Sequence, residues 1–284
     1  MSTMAAAGVT PAIGRARLGT NVLVLGVLAG LVVLLAIVGP WIAPHDPIAV
    51  GPTADQLLAP SATHLFGTDQ VGRDLFSRVL AGARASLGVA FAVVAFASIF
   101  GTLLGLLAGL GARWIDEVLM RLTDMFFAFP YLILAMVVVA SMGPGVVSLI
   151  IALCIIWWPG YARQVRGHVL AIKQTPFVDA SRVVGNSGLK TALRHVLPQM
   201  LPGLGVRVSF DVGNVILIAS GLGFLGLGVR PPEPEWGAIL YEARSYTLSA
   251  WWLAVFPGIA LTLSILVFSF LGDALSDRGS RRSR

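Results

Sequence analysis

Charge is what this sequence has least of. Only 12% of its 284 residues are Asp, Glu, Lys or Arg, about half the share of soluble globular domains. With 56% hydrophobic residues and a mean hydropathy of +0.84, that scarcity excludes a disordered chain and an ordinary soluble enzyme. Cysteine is almost missing: Cys154 stands alone, so neither an intrachain disulfide nor a cysteine metal cluster can form. The four histidines all fall outside the apolar runs, His45 and His64 in one polar segment and His168 and His195 in another. A histidine metal site at mid-membrane therefore has no donors. HExxH, GxSxG and a pair of intramembrane carboxylates are all lacking, so hydrolytic and acid–base chemistry have no residues to work with. What the composition leaves is an all-α polytopic membrane protein. The net charge of +6 fits basic residues held in cytoplasmic loops. No basic face interleaved with aromatics points to nucleic acid.

A span needs roughly 20 apolar residues to cross about 30 Å of hydrocarbon. Six stretches meet or approach that length: about Asn21 to Ala43, Ala85 to Gly111, Met125 to Met142, Val146 to Tyr161, Leu201 to Val229 and Ala250 to Leu271. The first follows Arg15 and Arg17 and is as long as a full crossing requires, so it reads as an uncleaved span rather than a signal peptide. With the N-terminus inside and six alternating crossings, 15 of the 20 Lys and Arg fall inside. Both termini are thus expected in the cytoplasm. The five outside, Arg73, Arg78, Arg84, Arg230 and Arg244, have Asp69, Asp74, Glu233, Glu235 and Glu242 near them as pairing candidates. The longest polar stretch inside runs from about Ala162 to Met200, where a contact with a soluble partner is expected.

Three features carry mechanism. Gly101, Gly105 and Gly109 form a doubled small-xxx-small ladder in the second span. They either let another helix approach closely or reflect the general abundance of glycine in membrane helices. Arg207 and Asp211 share a face of the fifth span, four residues apart. A charge at mid-bilayer costs at least ~2.5–3.5 kcal/mol. Arg207 can snorkel toward the inner surface, while Asp211, with Asn214 nearby, either lines a translocation path or pairs structurally with Arg207. Asp116 and Glu117, at the entry to the third span, read as a solvated face, with Glu117 and Arg121 in pairing register.

The third feature that carries mechanism, beside the glycine ladder and the Arg207–Asp211 pair, is the internal loop VDASRVVGNSGLKTALRHVLP, residues 178–198. It offers a short helix over Val178 to Val184, stopped at Gly185, and another over Thr191 to Leu197. Such a helix can dock in a cleft of a soluble partner or lie on lipid. The string from Gly185 to Thr191 is not a phosphate loop, because Leu189 separates Gly188 from Lys190 and no strand precedes it.

From about Gly39 to Asp277 the chain resembles the second, C-type, permease subunits of dipeptide and oligopeptide ABC importers. Four ordered blocks carry the resemblance: HLFGTDQVGRDLFSRVLAGARASL at 64–87, Arg113 to Ala135 with Asp124 and Pro130, ASGLGFLGLGVRPPEPEWGAIL at 219–240, and Trp251 to Leu275. The internal loop resembles the family's EAA loop. Asp179, Ala180 and Ser181 stand for EAA, Gly185 is in register, and His195, Val196, Leu197 and Pro198 close the pattern. Departures are Asp179 for Glu, Ser181 for Ala and His195 for Ile, and Ala219 stands where relatives often carry an acid.

The resemblance implies a type I importer transmembrane domain with six helices. It divides the chain into a cytoplasmic tail at 1–20, the first helix at 21–43, an extracytoplasmic segment at 44–84, a five-helix core at 85–273 with a coupling loop at about 162–200, and a basic tail at 274–284. It implies a non-catalytic subunit in a bacterial inner membrane that binds no cofactor itself. A homologous second permease, two ABC ATPases (or one two-domain ATPase) holding ATP and Mg, and an extracytoplasmic peptide-binding protein complete the assembly. The expected cargo is a di- or oligopeptide. The alternative within the fold is nickel, another metal chelate or glutathione; the alternative of another class is a secondary transporter or a membrane enzyme. A secondary transporter would carry ion-coupling carboxylates or broken helices in both halves. The coupling residues implied are Asp179, Ala180, Ser181, Gly185, Leu197 and Pro198. Swinging a gate from 1:99 to 99:1 takes ~5.5 kcal/mol of differential binding, which a short helix transmits only as a rigid body.

Overall fold

The computed structural model describes residues 13–175, 194 and 196–282, with the side chains of residues 21–175, 194 and 196–278. Among them are eight α-helices: α1 Ile13–Ile42, α2 Leu75–Leu110, α3 Arg113–Phe127, α4 Tyr131–Met142, α5 Val146–Lys173, α6 Leu197–Leu222, α7 Trp236–Ala243 and α8 Trp252–Arg282. Asp179, Ala180, Ser181, Gly185 and His195 lie outside the described residues.

Among the described residues, five helices are long and apolar enough to cross a membrane: α1, α2, α5, α6 and α8. The expected third span is instead a broken pair. α3 and α4 meet at an 85° bend, and α4 has only 12 residues. Pro130 explains the break. It has no N–H to continue α3, its ring disfavours helical backbone at Phe129, and it becomes the N-cap of α4. Other helices outrun their apolar stretches. α5 continues to Lys173, so the first part of the expected internal loop is helix, and α2 starts at Leu75, ten residues before the apolar run.

α2 and α5 form the central contact, and the glycine ladder lies in it. A Cβ on Gly101 would stand 2.5 Å from Tyr161 Cβ and 2.6 Å from Trp158 O, one on Gly105 2.6 Å from Ala162 O, and one on Gly109 2.6 Å from Val169 Cγ1. Each step of four on α2 matches a comparable step on α5, so the helices run parallel with backbones nearly touching. Lys173 Nζ donates to Gly109 O at the shared C-terminal end. From Asn21 onward α1 is largely exposed, with Leu23, Val27 and Ile37 open, as a lipid-facing helix is.

The opposite end of the bundle, where α2 begins, is capped by residues 43–74 and α7. Phe66 stacks on Phe256 of α8 at 4.0 Å, and Trp252 Nε1 donates to Thr68 O. Asp74 caps α2 by accepting from Ser77 N at 2.8 Å. α6 ends in a π-helical segment, Gly223–Leu227, in which Gly226 has φ 81°, a left-handed conformation natural to glycine. There α6 meets α7 backbone to backbone, since a Cβ on Gly237 would lie 2.5 Å from Ser220 O. Trp236 Nε1 then donates to Val79 O at 2.9 Å, fastening α7 to α2.

Candidate functional site

The bend between α3 and α4 opens a cavity of about 620 Å3 between these helices, α5 and α6. Its wall is Phe126, Phe127, Ala128, Phe129, Pro130 and Tyr131 on one side, Ile156, Trp157, Pro159 and Gly160 on another, and Arg207 and Asp211 on the third. Irregular backbone at membrane depth is tolerated where it lines a cavity or is buried in protein, and residues 128–130 meet that condition.

Arg207 and Asp211 are brought together as the spacing allows: Arg207 Nε is 3.2 Å from Asp211 Oδ2. The two readings of Asp211, pathway lining and ion pairing, are therefore compatible, because the paired carboxylate also faces the cavity. Arg207 is held against α5. Its Nη1 donates to Gly160 O at 3.0 Å and Gln164 Oε1 at 2.7 Å, and its guanidinium lies 4.3 Å over the Tyr161 ring. Gly160 makes this possible, because a Cβ there would collide with Arg207 Nη2. Arg207 sits ten residues into α6 rather than near its start. Asn214 is exposed and is not one of the residues lining the cavity.

Two further ion pairs join α3 to α5. Asp124 accepts from Arg163 Nη2, and the Arg163 guanidinium carbon lies 4.3 Å from the centre of the Phe127 ring. Asp116 accepts from both Arg166 Nε and Nη2, at 2.5 and 2.7 Å. The solvated reading of Asp116 is thus corrected: it is bidentate to a residue 50 positions away, a partner no local spacing reveals. Glu117 is exposed and reaches Arg121 only at 4.0 Å.

At the start of α6, Pro198 is in the first turn, where a missing N–H costs nothing. Leu197 packs against the cluster of Trp158, Tyr161 and Val165 between α2 and α5.

At the other end, the expected pairing of acids with arginines is partly present. Arg73 Nε binds Asp69 Oδ2 at 2.6 Å, and Arg73 and Arg78 both bind Glu242 Oε2, at 3.1 and 2.9 Å. Glu235 instead caps α7, accepting from Gly237 N, Ala238 N and Ser86 Oγ, each at 2.9 Å. Burial pushes its carboxyl above the ordinary range, against the downward pull of those hydrogen bonds.

Residues 101–284 match the family described as "binding-protein-dependent transport system inner membrane component". Relatives include the probable D,D-dipeptide transport system permease protein DdpC of Escherichia coli K12, 42% identical over 88% of this chain and 84% of its own. A putative peptide transport system permease protein of Brucella suis is 41% identical over the same shares. The glutathione transport system permease protein GsiD of Escherichia coli is 44% identical over 87% of this chain and 82% of its own. In fold, the chain is similar to a chain of the MetNI methionine ABC transporter in an inward-facing conformation, with a TM-score of 0.60, 20% identity, and coverage of 71% of this chain and 96% of that one. A broken, cavity-lining helix among long apolar spans and this similarity across nearly nine-tenths of the sequence lead to one conclusion: the chain belongs to the family of inner membrane components of binding-protein-dependent transport systems.

Proposed function

We propose that this chain is one half of the membrane pathway of an ATP-driven importer of short peptides. A second permease pairs with it, two ATPase subunits or one two-domain ATPase bind ATP and Mg, and a peptide-binding protein delivers cargo to the end formed by residues 43–74 and α7. That end faces away from the cytoplasm and both termini face into it. The observation that carries the cargo class is the 41–44% identity to permeases named for peptides, a D,D-dipeptide and glutathione. The cavity supports it: a carboxylate and a guanidinium beside aromatic walls suit a small zwitterion better than a bare metal ion, which would need more donors.

In this reading Asp179, Ala180, Ser181 and Gly185 form a hook held by an ATPase. ATPase closure moves the hook, and Leu197 and Pro198 carry that motion into α6 and the α2–α5 pair, opening the cavity to the other side. The test is reconstitution of the full complex with its binding protein. Dipeptides, longer peptides or glutathione should stimulate ATP hydrolysis, and a Gly185→Trp variant should assemble and hydrolyse ATP without uptake. Stimulation by none of these peptides would overturn the cargo class, and undiminished uptake by the variant would overturn the hook.

A further inference from the structure

We propose that His45, His64 and Asp74 form a binding site for a divalent first-row transition metal ion of the zinc kind, which clamps the chain leaving α1 to the chain entering α2. One ligand atom from each of the three lies within 4.8 Å of the others. His64 Nδ1 is 2.9 Å from Asp74 Oδ1, His45 Nδ1 is 3.7 Å from Asp74 Oδ2, and the two imidazole rings are 5.0 Å apart. Two ligands on a tetrahedral zinc with bonds of about 2.0–2.1 Å lie about 3.3 Å apart, so the trio needs only a small closure. The side chains grade from buried to open, at 2% exposure for Asp74, 17% for His64 and 45% for His45. The buried carboxylate and its histidine are thus positioned, while the open ring is free to rotate onto the ion.

The backbone prearranges this closure. His45 N donates to Ser77 Oγ at 3.1 Å, which holds the exposed histidine beside the start of α2. His64 sits in a turn in which its N donates to Ser61 Oγ and its carbonyl accepts from Ser61 N and Gly67 N. Asp74 Oδ2 accepts from Ser77 N and Ser77 Oγ, so the carboxylate is fixed from behind through that oxygen, and Oδ1, 2.9 Å from His64 Nδ1, keeps its lone pairs toward the histidines. A hydrogen bond between His64 and Asp74 would by itself satisfy the carboxylate. The second imidazole beside it is what makes a ligand set. Two nitrogens and one oxygen suit zinc, nickel or copper and not calcium or magnesium, which take oxygen donors. Spacings of 19 and 10 residues match no linear metal motif, which is why the trio is invisible until the chain folds. The site does not depend on what the permease carries.

The test uses the chain assembled with its partner subunits in lipid nanodiscs, stripped with chelator. Zn2+ is titrated in competition with a chromophoric chelator, and Co2+ replaces it for visible absorption. Wild type should bind one more ion per copy of this chain than a His45→Ala/His64→Ala variant and show the Co2+ bands of nitrogen-containing coordination. His45→Ala alone, at an exposed position the fold tolerates, should weaken Zn2+ binding at least about tenfold, the scale seen even for loss of an outer-shell partner. It should also abolish the Zn2+-dependent rise in melting temperature. His168→Asn should bind as wild type does. Unchanged affinity and stoichiometry in His45→Ala, or equal binding by wild type and the double variant, would overturn the site.

Discussion

Arg78 Nη2 stands 2.9 Å from Glu242 Oε2, 164 residues further along the chain, and the same carboxylate oxygen receives Arg73. One acid thus holds two nearly buried guanidinium groups, with Asp69 as their second counter-charge, 2.6 Å from Arg73 Nε and 3.5 Å from Arg78 Nε. Arg78 also donates to Pro47 O and Pro232 O. The network welds residues 43–74, α2 and α7 into one block.

Removing one member of a buried pair leaves an uncompensated charge and costs about 3–5 kcal/mol. Glu242→Ala should therefore lower the melting temperature of the purified complex sharply. Arg230→Ala, at an exposed position, should shift it little. Equal melting temperatures for the two variants would show that the network contributes no stability.

Gly105 leaves no room for a side chain against Ala162 and Val165. Gly105→Leu forces the α2–α5 pair apart, an overpacking cost of about 1–3 kcal/mol or more, and should reduce yield and thermal stability. Gly88, where an added Cβ would meet nothing within 4 Å, should accept alanine without loss. The comparison is read from detergent melting curves of the two variants.

Asp211 and Arg207 separate structure from transport through a double-variant cycle. Arg207→Ala strands a carboxylate in a spanning helix and should destabilise the protein. Adding Asp211→Ala removes the stranded charge and should restore much of the stability. If the pair takes part in passage, peptide uptake stays low in the stable double variant. Full uptake there would reduce the pair to a structural role.

Glu235 makes stability depend on pH. Its folded pKa is raised by burial, so the native state holds the proton more tightly than the unfolded chain does. Its contribution is complete below the unfolded value of about 4.3 and is lost as pH rises through the raised folded value. Melting temperature should fall over that window in wild type and stay flatter in Glu235→Gln. The glutamine variant should start lower, by about 1–3 kcal/mol, because both oxygens accept backbone N–H groups and an amide nitrogen cannot. Identical slopes would assign the pH dependence to another group.

Much of this architecture is legible in the chain before it folds, and the features that are not share a cause. Pattern and length locate every apolar segment, because the hydrocarbon thickness imposes a length on each crossing regardless of neighbours. The i,i+4 spacing of Arg207 and Asp211 predicts a contact that helical geometry makes nearly obligatory. The 85° bend does not follow from the sequence, although Pro130 marks it, because proline in an apolar stretch is also compatible with a kinked but continuous span. Asp116 with Arg166 and the His45–His64–Asp74 trio are hidden because their members are far apart in sequence, and Arg78 with Glu242 is foreseen only as one of many possible pairings for the same reason.

The sequence by itself determined that this is a membrane-embedded bundle, where its apolar helices run, and which family it belongs to, since hydropathy, helix period and motif order are local properties of the chain. Only the tertiary structure decided which charges neutralise one another, how the α3–α4 break and α6 enclose a cavity, and how the glycine ladder meets α5. Those are distances between remote residues, and in a medium of low dielectric such distances decide whether a charge or a glycine is tolerated at all.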